Sequence, residues 1–82
     1  MATIFRVGGL PVVIYSNDHS PPHVHVIGAD GEAKIALGGD GKRASIVLNN
    51  GLSRALLAVA LSEIDRNQAL LAQRWREIHG DA

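Results

Sequence analysis

Residues 23–37 hold two short β-type runs and the turn between them: His23-Val24-His25-Val26-Ile27, then Gly28-Ala29-Asp30-Gly31, then Glu32–Leu37. Both runs are rich in β-branched and other apolar side chains, which favour strands. A short segment containing two glycines and an aspartate is typical of the turn in a β-hairpin. This stretch therefore predicts two neighbouring antiparallel strands.

The same pattern extends to both sides of this hairpin. Short strands separated by glycine-containing turns are expected over about residues 3–48, and an apolar stripe at helical spacing predicts helix over about residues 52–79. One straight helix of that length would run about 40 Å, so a break is expected near Asp65 and Gln68, which are spaced as in a capping box. The length of 82 residues predicts a single domain, 1–82. The expected fold is α+β, a small antiparallel sheet of four or five strands with one face covered by a C-terminal helix or two helical segments.

Side-chain alternation assigns the histidines of the hairpin to one face of the sheet. In a strand, residues i and i+2 share a face, so His23 and His25 lie together while Val24 and Val26 lie on the opposite side. If the valines face the core, both histidines point outward. Lys34, on the next strand, is expected on that same outer face.

Composition limits the class of protein. Eight basic residues balance eight acidic ones, so the net charge gives no footprint for nucleic acid, and any such contact must come from local clustering after folding. The chain has no cysteine, which excludes disulfides and thiolate ligands and fits a reducing compartment. It shows no signal-peptide pattern, and its longest apolar run, 55–61, is far shorter than the roughly 20 residues that span a bilayer. A cytoplasmic protein without membrane contact is expected.

Three of the four histidines fall within seven residues, around the consecutive prolines Pro21 and Pro22. The prolines restrict the backbone, so the histidines should keep a fixed geometry. One interpretation is a divalent metal site, for an ion such as zinc, because three protein ligands and one open position form the usual catalytic zinc arrangement. The candidate ligands are Asp18, His19, His23 and His25.

Two other interpretations of the histidine turn remain open. The histidines could act as acid–base groups on RNA without a metal, with Lys34 steadying the phosphate; the candidate catalytic residues are then His19, His23, His25 and Lys34. They could also be half-exposed sheet histidines that merely hydrogen-bond to neighbouring carboxylates.

The helical region carries a candidate interface for a partner or a second copy of the chain. Its apolar stripe is longer than the sheet it must cover, and a tryptophan flanked by arginines has the composition of an interface hot spot. The predicted interface residues are Leu71, Trp75, Arg76 and Ile78. Self-association or a protein partner is therefore expected at this surface.

Several of these residues together resemble a bacterial family of small proteins classed as a domain of unknown function. The family is marked by Asp-His-x-Pro-Pro-His-x-His, matched by 18–25, and the resemblance extends over nearly the whole chain. It implies a gene pair resembling a toxin–antitoxin module, with this chain as the toxin-like member bound by a small protein from the neighbouring gene. Members tend to carry an acidic residue soon after the last histidine; here only Asp30 or Glu32 could take that place.

The leading functional hypothesis is accordingly a toxin-like protein that acts through the histidine turn and is held by a protein partner. The alternatives are a metal-binding or metal-dependent hydrolytic protein, and a non-enzymatic interaction module.

Overall fold

A computed structural model describes residues 2–39 and 41–80 of the chain. It contains a five-stranded antiparallel sheet, in which the strands lie side by side in sequence order, followed by two helices. This confirms the predicted α+β class, the number of strands and the two helical segments. The strands are β1 (Ala2–Val7), β2 (Leu10–Ile14), β3 (His23–Ile27), β4 (Glu32–Ala36) and β5 (Ser45–Asn50), and the helices are α1 (Arg54–Arg66) and α2 (Gln68–His79).

The hairpin of β3 and β4 lies in the middle of the sheet. His25 pairs with Lys34 and Ile27 pairs with Glu32 across the two strands. The turn closes with the backbone N–H of Gly28 donating to the carbonyl oxygen of Gly31 at 2.7 Å. This register places the polar side chains of β3 and β4 on one face of the sheet.

The helices cover the other face. Val24 and Val26 are fully buried there with Ile35, and they pack against the buried side chains of both helices. The helical residues of this core are Leu57, Ala60, Ile64, Leu71 and Trp75. The alternation that was predicted for β3 is thus confirmed for Val24 and Val26, which lie in the core, and for His25, which is only partly buried.

The helices begin and end as local chemistry dictates. Ser53 caps α1, since its hydroxyl accepts the N–H of Leu56 at 3.2 Å. The break falls at Asn67, whose side-chain amide donates to the carbonyl oxygen of Glu63 at 2.7 Å. Gly80, at φ of 82°, ends α2.

The expected capping box of Asp65 and Gln68 is wrong. Both side chains instead hold the loop between β4 and β5: Asp65 accepts the N–H of Ala44 at 2.9 Å, and Gln68 accepts the N–H of Gly38 at 2.8 Å. The loop also contains Asp40, which lies outside the described residues. The polar stretch that separates the helices therefore serves a long-range contact, which the local spacing could not reveal.

The expected exposure of the apolar stripe at Leu71 and Trp75 is also wrong. Leu71 is fully buried and Trp75 is 2% exposed, so both fill the core of this chain instead of its surface. Ile78 is partly buried against the same core, and only Arg76 of the four predicted interface residues is exposed. Exposed apolar residues cluster on edge strand β5, at Ile46, Val47 and Leu48, and single ones lie on the helices, at Val59 and Leu70. Among the described residues, no helix combines the length and apolar character needed to cross a membrane.

Candidate metal centre

Asp18 lies on a tight turn directly after β2. The backbone N–H of Asp18 donates to the carbonyl oxygen of Tyr15 at 3.1 Å, and the Asp18 carboxylate accepts the N–H of Tyr15 at 3.0 Å. These two bonds fold the carboxylate back over the sheet, beside β3. The turn continues through a cis peptide bond between Ser20 and Pro21 into His23.

His23 is buried, which differs from the expected outward-facing side chain. Only 4% of the residue is exposed, because Trp75 of α2 covers it with the two ring centroids 5.2 Å apart. Its Nδ1 lies 2.9 Å from the carbonyl oxygen of Pro21. A carbonyl can only accept, so Nδ1 carries the proton and donates it. The Nε2 atom of His23 is left to face Asp18, at 3.4 Å from Oδ1.

His25 is held in the same way by a different acceptor. Its Nδ1 lies 3.0 Å from Oε2 of Glu32, while its Nε2 lies 3.2 Å from both carboxylate oxygens of Asp18. A carboxylate oxygen accepts, so a proton on Nδ1 is donated to Glu32 and a proton on Nε2 to Asp18; with the proton on Nδ1 alone, the lone pair of Nε2 faces Asp18. The ring of Tyr15 lies against that of His25, with centroids 4.6 Å apart.

Three groups converge on one point. Asp18, His23 and His25 each offer one ligand atom, and these three atoms lie within 4.8 Å of one another. His19 was predicted to join them but is absent from this set; it is exposed and lines the wall of the adjoining cavity. The structure thus brings together three of the four predicted ligands.

Two of the spacings between these atoms match those of ligands that share an ion. Two ligands at about 2.0–2.1 Å from a tetrahedral zinc are about 3.3 Å apart, and the nitrogen–oxygen distances here are 3.2 and 3.4 Å. Direct charge-assisted hydrogen bonds are shorter, at about 2.7–2.9 Å. Each Nδ1 is also bonded to a carboxylate or carbonyl, which is the outer support that metal-binding histidines usually have.

The electrostatics keep the carboxylate ionised. Burial raises the pKa of Asp18, but the N–H of Tyr15 and the imidazoles of His25 and His23 outweigh burial and leave that pKa below its usual value. Burial, followed by the charges of Glu32 and Asp18, raises the pKa of Tyr15, so its phenol stays neutral at physiological pH. The site therefore presents one anionic carboxylate beside two imidazoles.

A cavity of about 310 Å³ opens beside these ligands. Lys34 lines it, as predicted for the outer face, together with His19 and Val47. The cavity gives room for a small ligand next to the open side of the three ligands. The fourth histidine, His79, does not line this cavity. Its ring lies against that of Trp75, with centroids 4.1 Å apart, and its Nε2 is buried without a hydrogen-bond partner among the residues described.

Glu32 and Tyr15 also contact the site. No role was predicted there for Tyr15, and the sequence left open whether Asp30 or Glu32 takes the acidic position after the last histidine. The hairpin register contains the missing signal for Glu32. It pairs with Ile27, which shares a strand face with His25, so Glu32 is a diagonal neighbour of that histidine. Asp30 is exposed in the turn.

Comparison with curated proteins and with solved structures gave no significant match. A family model described as a domain of unknown function, DUF4160, matches residues 9–76. The matched region includes all three converging ligands, Glu32 and Trp75, and thus most of the sheet and both helices. The chain belongs to the DUF4160 family.

Proposed function

We propose that the protein binds one divalent transition-metal ion through Nε2 of His23, Nε2 of His25 and the carboxylate of Asp18. The observation that carries this proposal is the orientation of the two imidazoles. Each Nδ1 lies within hydrogen-bond distance of an oxygen acceptor, and with the proton on Nδ1 both Nε2 lone pairs would face the Asp18 carboxylate. Three electron-pair donors directed at one point are stabilised by a shared cation.

The donor set favours zinc or a similar ion. Imidazole and carboxylate ligands suit zinc and the other late first-row divalent metals. With three protein ligands, a zinc ion keeps an open position and lowers the pKa of a water bound there, which is the basis of metal-dependent hydrolysis. Lys34 lines the adjoining cavity, where its ammonium would attract an anionic substrate group. The chemistry that fits best is hydrolysis of an anionic substrate.

Zinc titration of the metal-free protein tests this proposal. Wild type is expected to bind one zinc per chain by calorimetry and to gain thermal stability with added zinc by mass action. Asp18→Asn and His25→Ala should each weaken binding by at least about 100-fold, since the loss of a direct ligand exceeds the loss of its outer support. His23 is left intact in this test because its burial would confuse ligation with packing.

His19→Ala is the matched control, because this histidine lines the same cavity but does not join the three ligands. It should bind zinc as wild type does. Unchanged affinity in Asp18→Asn, or a loss in His19→Ala equal to that in His25→Ala, would refute the proposed ligand set.

A second candidate function is the toxin-like member of a two-gene module, bound by a small protein partner. The exposure of edge strand β5 and its lack of charge support the binding of a partner there. All six of its residues are exposed, none is charged, and Ile46, Val47 and Leu48 are each at least 43% exposed. Native edge strands usually carry charges, prolines or β-bulges that prevent pairing with another chain. In β5 there is a shift of register in its pairing with β4, between Lys34 and Ile35, but no charge and no proline. The occupant that this surface fits is an uncharged strand of the partner, added to the sheet edge.

Co-expression with the product of the neighbouring gene tests the partner. The two proteins should co-purify, and Val47→Lys should abolish co-purification because it places a charge on the uncharged edge. Val59→Lys is the control, since Val59 is 49% exposed on α1, away from the sheet edge. Equal capture of both variants would show that β5 is not the interface.

A further inference from the structure

The cavity beside the candidate metal centre combines apolar walls with a positive charge. Its described lining outside the three proposed ligands consists of three apolar residues, two polar ones and one cation: Pro21, Ala36, Val47, His19, Ser20 and Lys34. Its volume of about 310 Å³ is at the lower end of the range of about 300–1,000 Å³ for small-molecule pockets. The cavity therefore has the size and the lining for a small molecule with an apolar part and a charged part.

Lys34 supplies the positive charge of this cavity. It pairs with His25 across β3 and β4, which places the two side chains on the same face of the sheet. In the part of the chain that the structure describes, 2–39 and 41–80, no hydrogen bond or ion pair engages the side chain of Lys34. Its ammonium group therefore lacks a protein counterion at hydrogen-bond distance there.

The charge of Asp18 decides which sign of ligand the cavity favours. Asp18 is the one acidic residue of the described lining, and its carboxylate offsets the charge of Lys34. A divalent ion held by this carboxylate would more than neutralise it and leave the cavity with a net positive charge. The cavity with its ion bound therefore favours an anion.

Val47 reaches this cavity through an irregularity in β5. Ile46 lies opposite Ile35, a core residue of β4. Leu48, two positions further along β5, lies opposite Lys34, the residue next to Ile35. Val47 is thus the additional residue of a β-bulge, a feature that redirects side chains and is over-represented beside active sites. The bulge explains how a valine of the edge strand comes to line a cavity on the histidine side of the sheet.

The exposure of Val47 makes it a contact for the apolar part of a ligand. The residue is 56% exposed although it lines the cavity, so it lies at the opening to solvent. A ligand that covers it removes apolar surface from water, which favours binding. An anion with an apolar group should therefore bind more tightly than an equally charged anion without one.

We propose that the substrate of the metal centre is a small organic anion, whose oxyanion group is held by Lys34 while a compact apolar group packs on Val47. This proposal rests on the proposed metal function, and it names the substrate class of that site. A small molecule fits better than a polymer because the cation and the apolar wall line one cavity of small volume. Carboxylates and phosphorus oxyanions share the required chemistry, and the choice of probes distinguishes them.

Calorimetry of the zinc-loaded protein with benzoate, benzamide, acetate and phenylphosphonate tests the proposal. Wild type should bind benzoate at least about tenfold more tightly than benzamide, which has the same ring without the charge, because charge-assisted hydrogen bonds are about twice as strong as neutral ones. Benzoate should also bind at least about tenfold more tightly than acetate, which lacks the apolar group. The tighter of benzoate and phenylphosphonate identifies the oxyanion group.

Two variants assign these preferences to their residues. Lys34→Met removes the charge and keeps most of the side-chain length, so it should weaken benzoate binding by at least about tenfold and leave benzamide binding unchanged. Val47→Ala removes two methyl groups and should weaken benzoate binding by about threefold or more while acetate binding stays unchanged. Both variants should retain the zinc affinity of wild type, because neither residue is a proposed ligand.

The matched controls are Lys42→Met and Val59→Ala, which make the same replacements at exposed residues that do not line this cavity. They should bind all four probes as wild type does, and thermal melting verifies that every variant is folded. Equal binding of benzoate and benzamide by wild type would overturn the proposal. So would a loss of benzoate affinity in the controls as large as that in Lys34→Met and Val47→Ala.

Zinc titration of the same proteins separates this proposal from the metal proposal. If wild type binds zinc but does not prefer benzoate to benzamide and acetate, the proposed substrate class fails alone. If wild type binds no zinc but binds benzoate in a manner that depends on Lys34 and Val47, the metal proposal fails alone and the cavity is an anion site without an ion. Binding of neither zinc nor benzoate would overturn both.

Discussion

Replacement of Trp75 by alanine is expected to destabilise the protein by about 3–5 kcal/mol, the usual effect of removing a buried tryptophan. The side chain is 2% exposed, and it lies between the rings of His23 and His79 at centroid distances of 5.2 and 4.1 Å. Small domains have only about 5–15 kcal/mol of total stability. The melting temperature should therefore fall by about 15 °C or more.

Leu70→Ala is the control for this prediction, because Leu70 is on the same helix but 41% exposed. It should change the free energy of unfolding by less than about 1 kcal/mol. Thermal and urea denaturation measure both variants, with sedimentation across a concentration series to record the association state. Undiminished stability in Trp75→Ala, together with loss of self-association, would restore the interface role that the sequence indicated.

Trp75 was predicted at an interface and lies in the core, which shows why the sequence predicted the strands and helices better than the contacts of their side chains. Strands, turns and the apolar stripe depend on local periodicity, which the sequence displays directly. A stripe that fills the core and a stripe that binds a partner have the same periodicity. Only the turn of the chain at Asn67 brings α2 over the start of β3, where Trp75 covers His23.

Part of the candidate site was likewise predictable from local sequence, and part of it was not. The cluster of histidines around two prolines indicated the location, and alternation along β3 separated the histidines from Val24 and Val26, but it did not predict the burial of His23 under Trp75. The choice between Asp18 and His19 as the third group depends on the bonds that Asp18 makes with Tyr15, and these follow from the fold of the turn.

The cavity between the loop after β4 and helix α2 is the part least visible in the sequence. Lys42 and Arg43 are adjacent in the chain, but Arg76 comes from another element 33 positions later. The contacts of Asp65 and Gln68 with the loop span more than 20 residues. Their spacing of three residues fits a capping box, and only the tertiary structure distinguishes a cap from a long-range clamp.

Glu32→Gln is expected to weaken zinc binding by about 10–100-fold, although Glu32 does not contact the proposed ion. Its carboxylate accepts the Nδ1–H of His25 at 3.0 Å, which orients the ring and increases the electron density on Nε2. Glutamine can still accept this hydrogen bond, but without the negative charge. The variant should therefore keep the site geometry and lose affinity through electrostatics.

Asp30→Asn removes an equal charge from the same hairpin and is the matched control. Asp30 is exposed in the turn and is not among the residues that contact either histidine. A chromophoric chelator in competition with each protein measures the zinc affinity, and thermal melting without zinc verifies that both variants fold. If Asp30→Asn loses as much affinity as Glu32→Gln, the effect is a general loss of negative charge near the site. A loss confined to Glu32→Gln would identify Glu32 as the group that supports His25 as a ligand, because only that carboxylate is bonded to its ring.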